Sequence, residues 1–256
     1  MAKNKKKYGD LVRKHVADPR HIRGIFNYCD RWCERCAFRS RCRAYAIEMT
    51  LAVDGFEGEL AAAAEGLESA PGEEGPGFDF ALEEAEAAVT ETDIEREMLR
   101  HDAAWLVADT HPLMEAVKTL TKLAEPLIEG AGRRAESGGA DAEAFREPLE
   151  VLCRYRYLVQ AKVHRALLGR EEDRDAEEEE EGDPIPSDAD GSAKIAHISC
   201  AAARDAARRL GDLDPALAPP AAVYAQAADR ALALIDQAFP GHRSFRRPGF
   251  DDAQKA

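Results

Sequence analysis

The sequence contains no apolar run approaching the ~18 residues that a helical membrane span needs, which excludes an integral helical membrane protein. Met1 to Lys7 is a lysine cluster with no apolar stretch behind it, so no secretory signal is expected and the cytoplasm is the expected compartment. Thiols stay reduced there, so the six cysteines are not read as a disulfide framework. Alternating β-branched runs are missing, which leaves strands almost without support. Gly-rich phosphate loop, nucleophile elbow and zincin motif are all lacking. No Glu-x-x-His pair of the kind used by di-iron bundles occurs either, since none of the seven histidines has a glutamate three residues before it. No catalytic constellation can be named, and whether the protein is an enzyme stays open.

What is there is charge, helix-forming residues and a cysteine cluster. The chain has 256 residues and a formal net charge of −14, a length that suits one large domain or two small ones. That charge is unevenly placed. Through Tyr45 there are thirteen lysines and arginines against four acids, a net +9, which leaves −23 for the remainder. A basic head on an acidic body suits a surface for an anionic partner, and equally suits an arm lying against the protein's own acids.

Alanine, leucine, glutamate and arginine dominate outside two stretches, so the expected fold is all-α, a helical bundle with an N-terminal four-cysteine metal-binding helical hairpin. The expected divisions are a basic hairpin at 1–52, a flexible linker at 53–80 and a first part of the bundle at 81–170. An acidic disordered linker follows at 171–191, with five consecutive glutamates at Glu177 to Glu181. The second part of the bundle and the tail then occupy 192–256. Asp18-Pro19 reads as a helix N-cap with proline at the first helical position, followed by Ile22, Phe26, Cys29, Cys33 and Cys36 on one face. Phe38, Cys42, Tyr45, Met49 and Ala52 form a second stripe. Ile94, Met98, His101 and Trp105 mark a third helix, and Pro112 to Leu127 a fourth, bent near Pro126. The fifth runs from Glu143 to Leu168 with Leu152, Tyr155, Val159, Val163 and Ala166 inward. Two more span about Ser192 to Leu210 and Pro220 to Phe239.

Four cysteines fall within fourteen residues, at Cys29, Cys33, Cys36 and Cys42. Steps of 4 and 3 would stack Cys29, Cys33 and Cys36 on one helical face. Cys42 leaves that face, so a single centre using all four requires a break near Ala37 to Ser40, with Ser40 as N-cap of the next helix. Thiolates at this density point to a metal site. Buried cysteine acting as a small hydrophobe is the plainer alternative, and a thiol-based redox switch a third. Zinc sites usually come as two separated C-x2-C pairs, and here there is one. Iron–sulfur clusters hold their thiolates further apart and draw on compact cysteine runs. The expected cofactor is therefore a [4Fe-4S] cluster, with Zn2+ as the alternative.

Cys33, Cys36 and Cys42 form a C-x2-C-x5-C segment. It resembles the [4Fe-4S] loop of the helix-hairpin-helix DNA glycosylases, and it is similar to the cluster segment of recombination and CRISPR-associated iron–sulfur nucleases, where an aromatic often follows the middle cysteine by two, as Phe38 does. The resemblance covers these ten residues and implies a ligand role for Cys33, Cys36 and Cys42, with Cys29 as the fourth. In the glycosylases six residues separate the remaining cysteine from the pair, whereas three separate Cys29 from Cys33. No DNA chemistry is carried over, because neither a Gly-rich hairpin between helices nor a nuclease pattern of paired acids on strands is present. The C-x3-C-x2-C of Cys29, Cys33 and Cys36 also looks like the radical S-adenosylmethionine motif. That family prefers an aromatic where this chain has Arg35, and it needs a βα barrel. The chain as a whole resembles helical bacterial proteins, which implies no activity.

Among other candidates, His101 is expected to be buried and hydrogen-bonded, with Glu97 and Asp102 beside it. His164 and His197 are weaker candidates, and Cys153 and Cys200 are expected in the core. Arginines and aromatics mix in the tail from His242 to Phe250, where Phe245 and Phe250 are expected to pack onto the bundle. The functional expectation is a metal-binding interaction or regulatory module, with Arg23, Arg31, Arg35, Arg39, Arg41 and Arg43 facing a protein partner. An iron–sulfur redox protein is the alternative. Nucleic-acid binding through the basic head is a third reading, disfavoured by the acidic body, and no membrane partner is expected.

Overall fold

The computed structural model describes residues 18–53, 91–137, 141–177 and 188–251. Among them the regular elements are helices and 3₁₀ turns, as the composition predicts. Helix α1 spans Arg43–Val53, α2 Glu91–Thr110, α3 Pro112–Glu136, α4 Ala142–Glu177, α5 Asp188–Leu213 and α6 Ala218–Ala238. No helix of the described residues is long and apolar enough to cross a membrane. The chain forms two compact units, Met1–Leu99 with Arg247–Ala256, and Arg100–Arg246. The expected linker at 53–80 lies, apart from Val53, outside the described residues. Within the stretch expected as an acidic linker, α4 continues through Glu177 and α5 begins at Asp188.

The Arg100–Arg246 unit is built on a four-helix bundle. α3 packs on α4, α4 on α5 and α5 on α6, and α6 closes the ring against α3, while the diagonal pair α3 and α5 scarcely meet. The buried residues explain why. On α3 they include Leu113, Val117, Leu120, Ala124, Leu127 and Ala131; on α5 they include Ala189, Ala193, Ala196, Cys200, Ala203, Ala207 and Leu210. Both series advance in alternating steps of four and three, the repeat that keeps an apolar seam facing a neighbouring helix at a shallow crossing angle. On α4 the residues expected to point inward, Leu152, Tyr155, Val159, Val163 and Ala166, are all buried. On α6 the seam is Ala221, Tyr224, Ala228, Ala231 and Ile235.

The alanines of α5 and α6 allow a close approach. A Cβ on Gly211 would stand 2.9 Å from the Cβ of Ala221 and 3.3 Å from the Cα of Ala218, so the end of α5 and the start of α6 touch through backbone. Asp214 holds the connection between them. Its carboxylate accepts from the Ala216 amide at 2.9 Å and from Arg134 Nε, on α3, at 2.6 Å. The Arg134 guanidinium keeps that carboxyl below the ordinary range.

Helix α3 runs through Pro126 to Glu136, well past the expected end near Leu127. Its first turn is capped by His111, whose Nδ1 accepts from the Leu113 amide at 3.1 Å, with Pro112 at the first helical position. The stripe expected on α2 is corrected. Met98 is 62% and Trp105 51% exposed, and His101 is exposed rather than buried. The seams of the bundle are already closed by α3 to α6, so α2 contributes Ala108 to the core and sets Trp105 edge-on to His164 of α4, ring centroids 4.1 Å apart. The expected core placement of Cys153 is also corrected: it faces solvent, whereas Cys200 is buried.

Two outcomes test this packing. Leu152 is fully buried in the bundle, so Leu152→Ala is expected to lower unfolding stability by about 2–5 kcal/mol in denaturant titration. Burial and Arg170 lower the affinity of His111 for a proton, so its neutral, capping form is favoured in the folded state. The stabilising term is fully present above the ordinary histidine pKa of about 6.5 and is lost as pH falls below it, because the unfolded chain takes up the proton first. His111→Asn keeps an acceptor and removes the titration. It is therefore expected to lose less stability than the wild type between pH 7 and 5, read from urea midpoints.

Candidate metal centre

The cysteine segment is built from turns, and the expected helical hairpin is corrected. Three 3₁₀ turns, Ile25–Tyr28, Cys33–Arg35 and Arg39–Arg41, precede α1. Asp18 makes a cap-like contact, its carboxylate accepting from the backbone amide of Arg20 at 3.0 Å and from its Nε at 2.9 Å, but no helix follows it. Those contacts hold the carboxyl well below its usual range. Gly24 then takes a left-handed φ of 75° and ends any helical path. Ser40, the expected N-cap of the following helix, sits inside the third turn instead.

The turns place the sulfurs by a common local rule. Cys29, Cys36 and Cys42 each occupy the extended residue directly after a 3₁₀ turn, while Cys33 opens one. The chain reverses between Cys29 and Cys33 through Arg31, a non-glycine residue at φ 57°. The Asp30 carboxylate supports that reversal by accepting from the Trp32 amide at 3.0 Å. The Ile22 amide donates to the Arg41 carbonyl at 2.9 Å and closes the segment on itself.

All four thiols are half-buried and unpaired by disulfides. They line one small apolar pocket together with Ile25, Trp32, Tyr45 and Phe250. Burial, followed by the neighbouring Cys29, Glu48, Cys42 and Cys36, pushes the Cys33 thiol up. The Cys29 thiol donates to the Phe26 carbonyl at 3.5 Å. Among the described residues, no three of the four sulfurs lie mutually within 4.8 Å. Cys200, buried elsewhere with its thiol pushed up to about 12, takes no part.

Arg31 and Arg39 line the pocket beside Asp30. Arg23, Arg31, Arg35, Arg39 and Arg41 are exposed, and Arg43 is half-buried. Arg35 stacks on Trp32 at 4.0 Å and Arg43 on Phe26 at 5.2 Å from the ring centroids. The floor comes from the far end of the chain. Phe250 meets Phe38 edge-on at 5.1 Å, and Arg247 bridges to Asp251 at 2.9 Å. The expectation that Phe250 packs on the helical bundle is corrected accordingly. Nothing in residue spacing relates Phe250 to the cysteines, and only its pairing with an arginine drew attention to the tail. A second cluster, His197 with Asp236 and His242, also escaped the reading of the sequence, because its members are up to 45 residues apart on three elements.

Comparison with known proteins finds no matching family model, no matching curated protein and no matching solved structure.

Gly249 links the tail to the site. It adopts φ 78°, and an added Cβ would stand 3.0 Å from the terminal methyls of Ile22 and Ile25. Gly249→Ala is expected to lower the stability of this unit by about 1–2 kcal/mol, read from urea midpoints.

Proposed function

We propose that Cys29, Cys33, Cys36 and Cys42 bind one metal centre, a [4Fe-4S] cluster in preference to zinc, and that the folded segment is an interaction module presenting arginines to an acidic partner. The observation that carries this reading is the convergence of four thiols, from three separate turns, on a single apolar pocket. Few large side chains support the segment; Ile25 and Trp32 are its buried hydrophobes among the described residues. A bound metal would supply the cross-links that a short run of 3₁₀ turns lacks.

The compact cysteine run favours a cluster. Iron–sulfur clusters draw on such runs, whereas zinc sites usually come as two separated C-x2-C pairs, and here there is one. The thiolates would carry the negative charge, and Arg31 and Arg39 offset it; what the centre supplies in return is a fixed arrangement of the turns. An electron-transfer role is distinguishable by reduction, since a carrier cycles reversibly between two oxidation states at an accessible potential and a structural centre does not.

Anaerobic purification with iron, sulfide and zinc analysis tests the proposal directly. The expected outcome is about four iron and four sulfide per chain with broad visible absorption, and one zinc would select the alternative. Absence of both in stoichiometric amount overturns the reading. Cys36→Ser is expected to abolish metal retention and lower the melting temperature of this segment. The same melting profile with and without that substitution would return the cysteines to the role of ordinary buried side chains.

A further inference from the structure

A second cluster of donor atoms lies in the Arg100–Arg246 unit, outside the thiol site. His197 comes from α5, Asp236 from the last turn of α6, and His242 from the 3₁₀ turn Pro240–Arg243. The Nε2 of His242 is 3.3 Å and that of His197 3.5 Å from the same oxygen, Asp236 Oδ1. One donor atom from each residue lies within 4.8 Å of the others. The two imidazole centroids are 5.0 Å apart.

His242 makes this more than a surface cluster. It is 2% exposed, and its Nε2 has no hydrogen-bond partner. Its Nδ1 lies 2.6 Å from the Phe239 carbonyl at the end of α6. A carbonyl only accepts, so Nδ1 carries a proton, and Nε2 is the ring nitrogen turned toward Asp236 and His197. A backbone acceptor at Nδ1 is the usual support of a metal-ligating histidine. A buried ring nitrogen facing a carboxylate calls for something positive between them, a proton or a metal ion.

We infer that His197 Nε2, Asp236 Oδ1 and His242 Nε2 form a site for a single divalent transition-metal ion such as zinc. Zinc bonds imidazole nitrogen and carboxylate oxygen at about 2.0–2.1 Å, and a tetrahedron with such bonds has edges of about 3.3 Å. The observed 3.3 and 3.5 Å separations match that edge. Arg243 takes the other carboxylate oxygen, Oδ2, at 2.7 Å, and its Nε is 3.3 Å from Oδ1. It thereby orients the carboxylate and reduces its charge. Arg204, the other cation acting on His197, is engaged by Asp205 and Asp229, each at 2.9 Å. Three protein ligands leave a coordination position for water or a small anionic ligand, and Asp236 is open to solvent at 35%.

The test is a Zn2+ titration of the full-length chain followed by histidine-ring ¹⁵N resonances. One equivalent beyond that taken by the thiols is expected to shift the Nε2 signals of His197 and His242 together. The same shift is expected in the Cys33→Ser/Cys36→Ser double variant, so loss of the thiol centre and loss of this site are read separately. His197→Gln and Asp236→Asn, at partly exposed positions, are each expected to weaken binding roughly 100-fold while leaving the helical circular dichroism unchanged. Histidine signals that ignore zinc, or shifts that persist equally in both single variants, overturn the inference. Should either variant unfold, the titration of the Cys33→Ser/Cys36→Ser chain still decides: movement of both Nε2 signals at one equivalent supports the site, and no movement removes it.

Discussion

The small-residue seam between α5 and α6 is the constraint on which the bundle depends. Alanine at successive positions of the four-three repeat removes side-chain bulk from the interface, so the helices settle at a distance set by backbone and Cβ atoms. Gly211 is the limiting case, where a single methyl group would meet Ala221. Such a seam gains little from each alanine buried and much from closeness, since many weak dispersion contacts form at once. It also fixes rotation and register. His197 on α5 and Asp236 on α6 stand beside each other because the seam allows one alignment, and the turn after α6 then folds back to bring His242 onto the same carboxylate.

The cysteine segment follows a different logic. It has no long helix and few buried hydrophobes, and local hydrogen bonds do the shaping. Asp18 closes one turn, Asp30 another, and the Ile22–Arg41 backbone bond joins the ends. Each of these is modest in energy. A fold resting on such bonds is easily reshaped, unless something ties the sulfurs together or the Phe38–Phe250 contact clamps the tail against it. The two candidate metal sites thus sit in contrasting settings, one on turns that a ligand would organise, the other on helices that are organised already.

Much of the architecture was legible from periodicity. Leu152, Tyr155, Val159, Val163 and Ala166 repeat at helical spacing because one face of α4 is buried along its length, and burial is what the pattern records. The same reasoning misplaced Met98, His101 and Trp105. A stripe shows that a helix has an apolar face, yet it does not show that a partner is free to cover it. The steps of four and three among Cys29, Cys33 and Cys36 misled in another way. They fit a helix, but the left-handed backbone at Gly24 and Arg31 interrupts helical hydrogen bonding before and within the run. The gathering of the four cysteines needed only their nearness in the chain.

The sequence by itself determined the helical class, the inward face of α4 and the concentration of thiols and arginines in one short segment. Those properties depend on neighbours within a few turns, and local chemistry is sufficient to encode them. Tertiary structure alone decided that α3 closes on α6, that Phe250 floors the cysteine pocket, and that His197, Asp236 and His242 share one point. Each of these joins residues far apart in the chain. Their meeting depends on how closely alanine-lined helices pack and where a turn sends the backbone, and no spacing along the chain carries that information.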